Sequence, residues 1–188
     1  MVKKFDPALK EALLSKERLD MLDTHRVMSF LPLMPYQEVA DIGCGPGYFT
    51  IPLAKFAFDG KVYALDIHQE MLDAVREAAD KVRLSNVETV LSKESKVALK
   101  KESMDGALVA FLLTEVTRPA KVLKDVHGAL RKGGWLGVIE SCQAGGNGAA
   151  AESGLSETAA SELAQAAGFR FTGRYDISTS HYMLVFRA

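Results

Sequence analysis

The order of hydrophobic patterns predicts an α/β protein built on a doubly wound, mostly parallel sheet. Three observations carry this. Short apolar runs alternate with segments of helical period along most of the chain. Two of those runs, Glu38–Ile42 and Lys61–Asp66, carry an aspartate at or near their end. Between the first run and the helix after it lies Gly43-Cys44-Gly45-Pro46-Gly47, three glycines at alternate positions that let a ligand approach the backbone closely.

The elements follow in order. Residues 1–37 form an opening segment, with one short helical stripe at Ala8, Leu9, Ala12 and Leu13. Asp23 or Thr24 caps a second helix bearing Val27, Phe30 and Leu31, and Pro32 stops it. This segment either packs on the sheet edge or serves as a lid, with Arg18, His25 and Arg26 as polar contacts. After the first strand a helix runs from Pro46 or Gly47 to Phe56, with Pro52 removing one of its hydrogen bonds. Gln69–Leu84 is the clearest helix, with Met71, Val75, Ala78 and Val82 on one side. Asn86–Leu91 is a short third strand, and Ser92–Ser103 a polar loop holding four lysines.

Met104–Phe111 reads as a strand buried on both faces. Thr117–Arg131 is a helix closed by Gly133-Gly134, and Trp135–Glu140 a fifth strand. Residues 143–154 are small and flexible in composition, a surface loop inside one domain. Ser156 caps a helix ending at Gly168, and Phe169–Tyr175 and Tyr182–Phe186 make a final antiparallel pair. In such a sheet ligands bind outside the carboxyl ends of the strands, where strand order reverses. Asp41, Asp66 and the residues after Leu91 and Ala110 fall at four such ends.

Composition narrows the function. A chain of 188 residues is one domain, 1–188, long enough to bury a real core. The net charge of −1 provides no overall basic field, so nucleic acid is not the expected partner. Two cysteines, Cys44 and Cys142, make neither a disulfide framework nor a structural zinc site, so no metal is expected. No run is long and apolar enough for a membrane span, and the N-terminus lacks the pattern of a signal peptide, which makes the cytoplasm the expected compartment.

The glycine turn selects among cofactors. A dinucleotide site of the G-x-G-x-x-G type needs a glycine where Tyr48 stands, and a P-loop needs a lysine followed by serine or threonine. Val-Ala-Asp before the turn, a second acidic strand end 25 residues on at Asp66, and Leu-Arg-Lys-Gly-Gly before the fifth strand make another combination. Across residues 36–140 the chain resembles the class I methyltransferases that use S-adenosylmethionine. VADIGCGPGYFT looks like their first motif, VYALDIHQEML like their second, and ALRKGGWLGVIE like the segment around their fifth strand. The opening segment and closing strand pair look like small-molecule methyltransferases of the ubiquinone and menaquinone biosynthesis type.

That resemblance implies a Rossmann-like seven-stranded sheet in the order 3-2-1-4-5-7-6, with S-adenosylmethionine as cofactor. It implies that backbone at Gly43, Cys44, Gly45 and Gly47 cradles the methionine end, and that Asp41 orients its ammonium or the N–H groups of the turn. Asp66 takes the ribose hydroxyls, and Ile67 and Met71 form an apolar side for the adenine. Many relatives carry an aspartate after the third strand to accept from the adenine amino group. Here Glu94 or the backbone takes that part. Phe111 and the residues to Glu115 cover the cofactor and face the methyl acceptor. Phe111-Leu112-Leu113 stands where enzymes acting on exocyclic base nitrogens carry a proline pair.

Methyl transfer from a sulfonium needs alignment and water exclusion, and a base only if the acceptor must lose a proton. His181, Tyr182 and Glu115 are the residues that could reach an acceptor, and none has the standing of a catalytic residue. His68 lies beside the ribose or in solvent, His127 on an exposed helix face, and Cys142 is not expected to act as a nucleophile. A small-molecule acceptor is the leading expectation, with any large substrate cap left to a second subunit of a homodimer. A non-catalytic cofactor binder and an enzyme modifying RNA or protein are the alternatives. The latter would be favoured by Lys93, Lys96, Lys100 and Lys101 forming a stripe on the crevice side.

Overall fold

The computed structural model describes residues 22–94, 96–142 and 154–188. Seven strands form a single sheet: β1 (Glu38–Ile42), β2 (Lys61–Asp66), β3 (Val87–Leu91), β4 (Met104–Ala110), β5 (Leu130–Ser141), β6 (Arg170–Ser178) and β7 (His181–Arg187). Their order is β3-β2-β1-β4-β5-β7-β6. β1 to β5 run parallel, whereas β5–β7 and β7–β6 pair antiparallel. The order reverses beside β1, which starts the chain toward β2 and β3 on one side and is followed by β4 and β5 on the other.

Helices cover both faces. The face bearing Ala40, Ile42, Val109, Leu136 and Val138 packs against α4 (Pro119–Ala129) and α5 (Glu157–Ala166) through Leu123, Val126, Ala160 and Ala164. The opposite face, with Val39, Leu108, Trp135 and Ile139, receives α1 (Thr24–Phe30) and α2 (Thr50–Phe56) through Val27, Met28, Leu53 and Ala54. Adjacent strand residues thus serve opposite cores, as the two-residue period requires. Gly106 permits this beside β5, because a Cβ there would meet the buried Trp135 ring at 2.0 Å. The indole N–H is satisfied by Gln37 Oε1 at 3.1 Å.

Local signals explain several boundaries. The Asp23 carboxylate accepts from the amides of His25 and Arg26 and starts α1. The Ser156 hydroxyl accepts from the Ala159 amide and starts α5. The parallel strands β1 and β2 have the expected bounds.

Other boundaries depart from expectation. α2 begins at Thr50 instead of Pro46 or Gly47, because Gly45 and Gly47 adopt positive φ and keep 45–49 in consecutive turns. Pro52 therefore falls in the first turn of α2, where a missing N–H costs least. α3 (Gln69–Lys81) ends three residues early, with Arg83 at φ 57°, so Val82 is 45% exposed instead of facing the core. The largest difference concerns α4. It ends at Ala129, and Leu130 already pairs with Met104 in the sheet. Gly133-Gly134 do not end a helix; they lie in an irregularity of β5 between the Leu130 and Trp135 pairings. Of the loop expected at 143–154, residues 143–153 lie outside the described residues, as do the first 21 residues with Arg18.

Candidate functional site

The cavity opens at the carboxyl ends of β1, β2 and β4 and encloses about 190 Å³. β1 contributes Asp41 and Ile42, β2 contributes Leu65 and Asp66, and the chain leaving β4 contributes Phe111 and Leu112. Ser92, Lys93 and Glu94 enter from the loop after β3. Four strand ends therefore meet in one place, as the sheet order requires.

The glycine turn is tied to β2. The amides of Gly43 and Cys44 both donate to the Leu65 carbonyl, at 2.8 and 2.9 Å. The Gly45 amide donates to Asp66 Oδ2 at 3.0 Å. The other oxygen of Asp66 accepts from the His68 amide at 2.9 Å and lies 3.1 Å from the His68 ring. Asp66 is thereby held at both oxygens with its face toward the cavity, and the turn and the second acidic strand end form one unit.

Asp41 lies deeper, 2% exposed, and accepts from the Thr50 hydroxyl at 2.6 Å. Burial pushes its carboxyl up to about 7, with the negative charge of Asp66 adding to the rise and the Thr50 hydrogen bond opposing it. The Cys44 thiol is also pushed up, first by burial and then by Asp41 and Asp66. A thiol kept protonated in this way is no nucleophile.

Of the residues expected at the site, Asp41, Gly43, Cys44, Gly45, Asp66, Ile67, Met71, Glu94 and Phe111 all line the cavity. Gly47 does not. Its Cα faces α3, where a Cβ would come within 3.2 Å of Val75 Cγ2. Glu94 accepts from the Thr117 hydroxyl at 3.2 Å, which links the loop after β3 to the start of α4.

Residues considered for the acceptor side separate as well. Glu115 and His68 line the cavity. His181 stands behind Phe111, the two rings edge to face at 5.4 Å, with its Nδ1 2.8 Å from the Ser178 hydroxyl. Tyr182 turns away and donates to the Leu155 carbonyl at 2.7 Å. In the opening segment His25 packs on Phe56 and Arg26 lies over Phe30, so neither lines the cavity. Of the four lysines of the loop after β3, Lys93 lines the cavity, and Lys101 pairs with Glu102 shortly before β4 begins.

Several lining residues carry no motif. Val97 opens a short apolar run, Val97-Ala98-Leu99, inside an otherwise polar loop, and that run is the one signal it had; the structure buries it against the cavity. Val116 comes from the loop before α4, Val122 from the first turns of α4, and Phe49 from the turns before α2. Among the described residues no group of three or more His, Cys, Asp or Glu could hold a metal ion, and no helix is long and apolar enough to cross a membrane.

Comparison with known proteins agrees with this geometry. Residues 40–138 match the family described as a methyltransferase domain. The demethylmenaquinone methyltransferase of Bacillus mycoides is 27% identical over 117 residues, which cover 62% of this chain and 49% of that protein. An uncharacterized 37.1 kDa protein in a transposon of Streptomyces fradiae is 30% identical over 138 residues, 70% of this chain and 39% of that protein. The chain thus spans about half the length, or less, of these curated relatives. The crystal structure of a SAM dependent methyltransferase from Aquifex aeolicus superposes with a TM-score of 0.90 at 27% identity, covering 98% of this chain and 99% of that one. The strand order, the glycine turn tied to Asp66 and these matches together place the chain in the methyltransferase domain family, with the class I fold and S-adenosylmethionine as its cofactor.

Proposed function

We propose that this chain transfers a methyl group from S-adenosylmethionine to a small molecule by in-line displacement. The observation that carries the proposal is the donor set of the cavity. Its polar wall is rich in acceptors, with Asp41, Asp66, Glu94 and Glu115, and Lys93 is the one lysine or arginine among the described lining residues. When bound, the cofactor supplies a sulfonium-activated methyl group together with an ammonium, two ribose hydroxyls and an adenine amino group. Such a wall suits a ligand with those donors and a positive sulfur.

The residues divide the work as follows. Asp66 accepts from the ribose hydroxyls; the Gly45 and His68 amides fix its plane, and the His68 ring competes for Oδ1. Ile67, Met71 and Val97 bound the adenine side, with Glu94 accepting from its amino group. Gly43 to Gly45 let the methionine end lie against the backbone, and Asp41 faces its ammonium. Phe111, Leu112, Val116 and Val122 exclude water and supply an apolar surface for the acceptor. No side chain is assigned as a base, because a base is needed only for an acceptor that must lose a proton. The apolar wall and the acidic lining favour an uncharged or cationic small molecule over the nucleic-acid backbone. An acceptor of the quinone kind is consistent with the name of the Bacillus mycoides relative.

The experiment has two stages. S-adenosylhomocysteine is titrated into the protein by calorimetry. The protein is then incubated with methyl-labelled S-adenosylmethionine and cell extract separated into small molecules, lipids, RNA and protein. Label in the small-molecule or lipid fraction supports the proposal. Label in RNA or protein overturns the acceptor class, and binding without transfer to any fraction overturns the enzymatic reading.

A further inference from the structure

Glu140 is a carboxylate where the sequence pattern calls for an apolar side chain. It continues the face of β5 that Leu136 and Val138 bury, it is 2% exposed, and it does not line the cavity. Burying a carboxylate is unfavourable unless something specific receives it. What receives it is the backbone of the chain leaving β4: the Leu113 amide donates to Glu140 Oε1 at 3.0 Å. Leu113 is itself buried, so without that acceptor its N–H would be orphaned.

The segment it holds is under conformational strain. Phe111 sits at φ 57°, in the left-handed region that an aromatic residue rarely enters. The Phe111 amide donates to the Ile139 carbonyl at 2.8 Å, one residue before Glu140. Two successive residues of β5 therefore fasten the two alternate amides that carry the chain through its left-handed turn. Past the turn, the amides of Glu115 and Val116 both donate to the Leu112 carbonyl and close a compact loop. That loop gives the cavity Phe111, Leu112, Glu115 and Val116. Leu112 also lies over Gly43, where a Cβ would meet its Cδ1 at 2.8 Å, so a shift of this loop alters the glycine turn's surroundings as well.

We infer that Glu140 is a positioning residue for the methyl-transfer site, acting through the Leu113 amide to hold residues 111–116 as the cavity's acceptor-side wall. The identity of that wall rests on the function proposed above; the clamp itself rests on geometry alone.

Amide hydrogen exchange on the full chain, read over residues 111–116, tests the clamp without any ligand. The wild-type Leu113 amide is expected to be protected, and exchange as fast as that of solvent-facing amides would overturn the inference. Glu140→Leu is expected to speed exchange at 111–116 at least tenfold while β2 and α3 keep wild-type rates. Glu140→Gln, which keeps an acceptor oxygen, is expected to restore protection. Faster exchange spread evenly over the sheet, or a Gln variant as loose as the Leu variant, would overturn it. In parallel, S-adenosylhomocysteine is expected to bind Glu140→Leu at least tenfold more weakly and Glu140→Gln within about threefold of wild type; equal affinity in all three overturns the link to the site. If the wild-type protein binds no S-adenosylhomocysteine, the proposed function fails while the exchange data still decide the clamp.

Discussion

The hydroxyl of Thr50 donates to the carboxylate of Asp41 at 2.6 Å, joining the first residue of α2 to the end of β1 beneath the glycine turn. Both groups are buried, so this contact is what makes a carboxylate tolerable at that depth.

Asp41→Asn is therefore expected to stabilise the fold at high pH. Asp41 titrates near 7 in the folded protein against an ordinary 3.8. The native state holds this proton more tightly than the unfolded chain, so its contribution is intact below pH 4 and is lost as pH rises to 7. The stability of Asp41→Asn relative to wild type should rise across that window by up to about 4 kcal/mol, on the order of 1.4 kcal/mol per unit of pH. Denaturant melts at pH 4, 6 and 8 check this, and a difference independent of pH would contradict it. The same substitution should weaken S-adenosylhomocysteine binding.

Thr50→Val should act in the opposite sense on the carboxylate. Removing the hydroxyl leaves Asp41 buried without its donor, at a cost of about 1–3 kcal/mol at pH 8. Below pH 4 the deficit should shrink, because a protonated carboxyl tolerates burial better. Chemical denaturation at the two pH values measures the contrast.

Asp66→Ala should lower cofactor affinity by a factor of ten or more, roughly the 1–3 kcal/mol of a lost buried partner. It also frees the Gly45 and His68 amides, so some loss of stability is expected too. Asp66→Asn, which retains an acceptor oxygen, separates the two effects. Calorimetric titration with S-adenosylhomocysteine gives the affinities, and unchanged affinity in Asp66→Ala would remove the ribose contact from the assignment.

Two glycine-to-alanine changes should differ in sign. Gly47→Ala places a methyl against Val75 at a backbone φ of 94°, which strains any L side chain, and should lower stability by at least 1 kcal/mol. Gly128→Ala falls in α4 with no atom within 4 Å of the added Cβ, and should raise stability by up to about 1 kcal/mol. Thermal melts of both variants decide the matter.

Glu140 carries a second pH signature. Burial raises its carboxyl to about 7, the Glu115 charge adds to the rise, and the Leu113 hydrogen bond works against it. Its contribution to stability is present below pH 4.5 and is lost as pH climbs through 7. Glu140→Gln should therefore melt at a higher denaturant concentration than wild type at pH 8, by roughly 3 kcal/mol at most, with the advantage vanishing near pH 4.5.

These residues also mark where sequence reading succeeds. β1 and β2 were legible to the residue because an apolar run ending in an acid and a glycine turn is a local signal. The carboxylates Asp41 and Asp66 and the turn between the strand and α2 were legible for the same reason. The end of α4 was not. Val126 and Leu130 satisfy a helical period, yet Leu130 pairs with Met104, and a β-pairing partner more than twenty positions away leaves no trace in local periodicity. Val82 failed similarly: its spacing fits the inner stripe of α3, but the helix ends at Lys81 and turns it outward.

The sequence by itself determined the unit of strand, glycine turn and acidic strand end, because these lie within 30 residues and interact through short-range geometry. Tertiary structure decided what each piece is for. Gly47 belongs to helix packing because α3 crosses there, and Asp66 grips the turn because β2 lies beside β1. Glu140 acquires a partner 27 residues away because β5 pairs with β4 and brings its end under the residues leaving that strand. A buried charge shows its purpose only when the chain that satisfies it has been brought alongside.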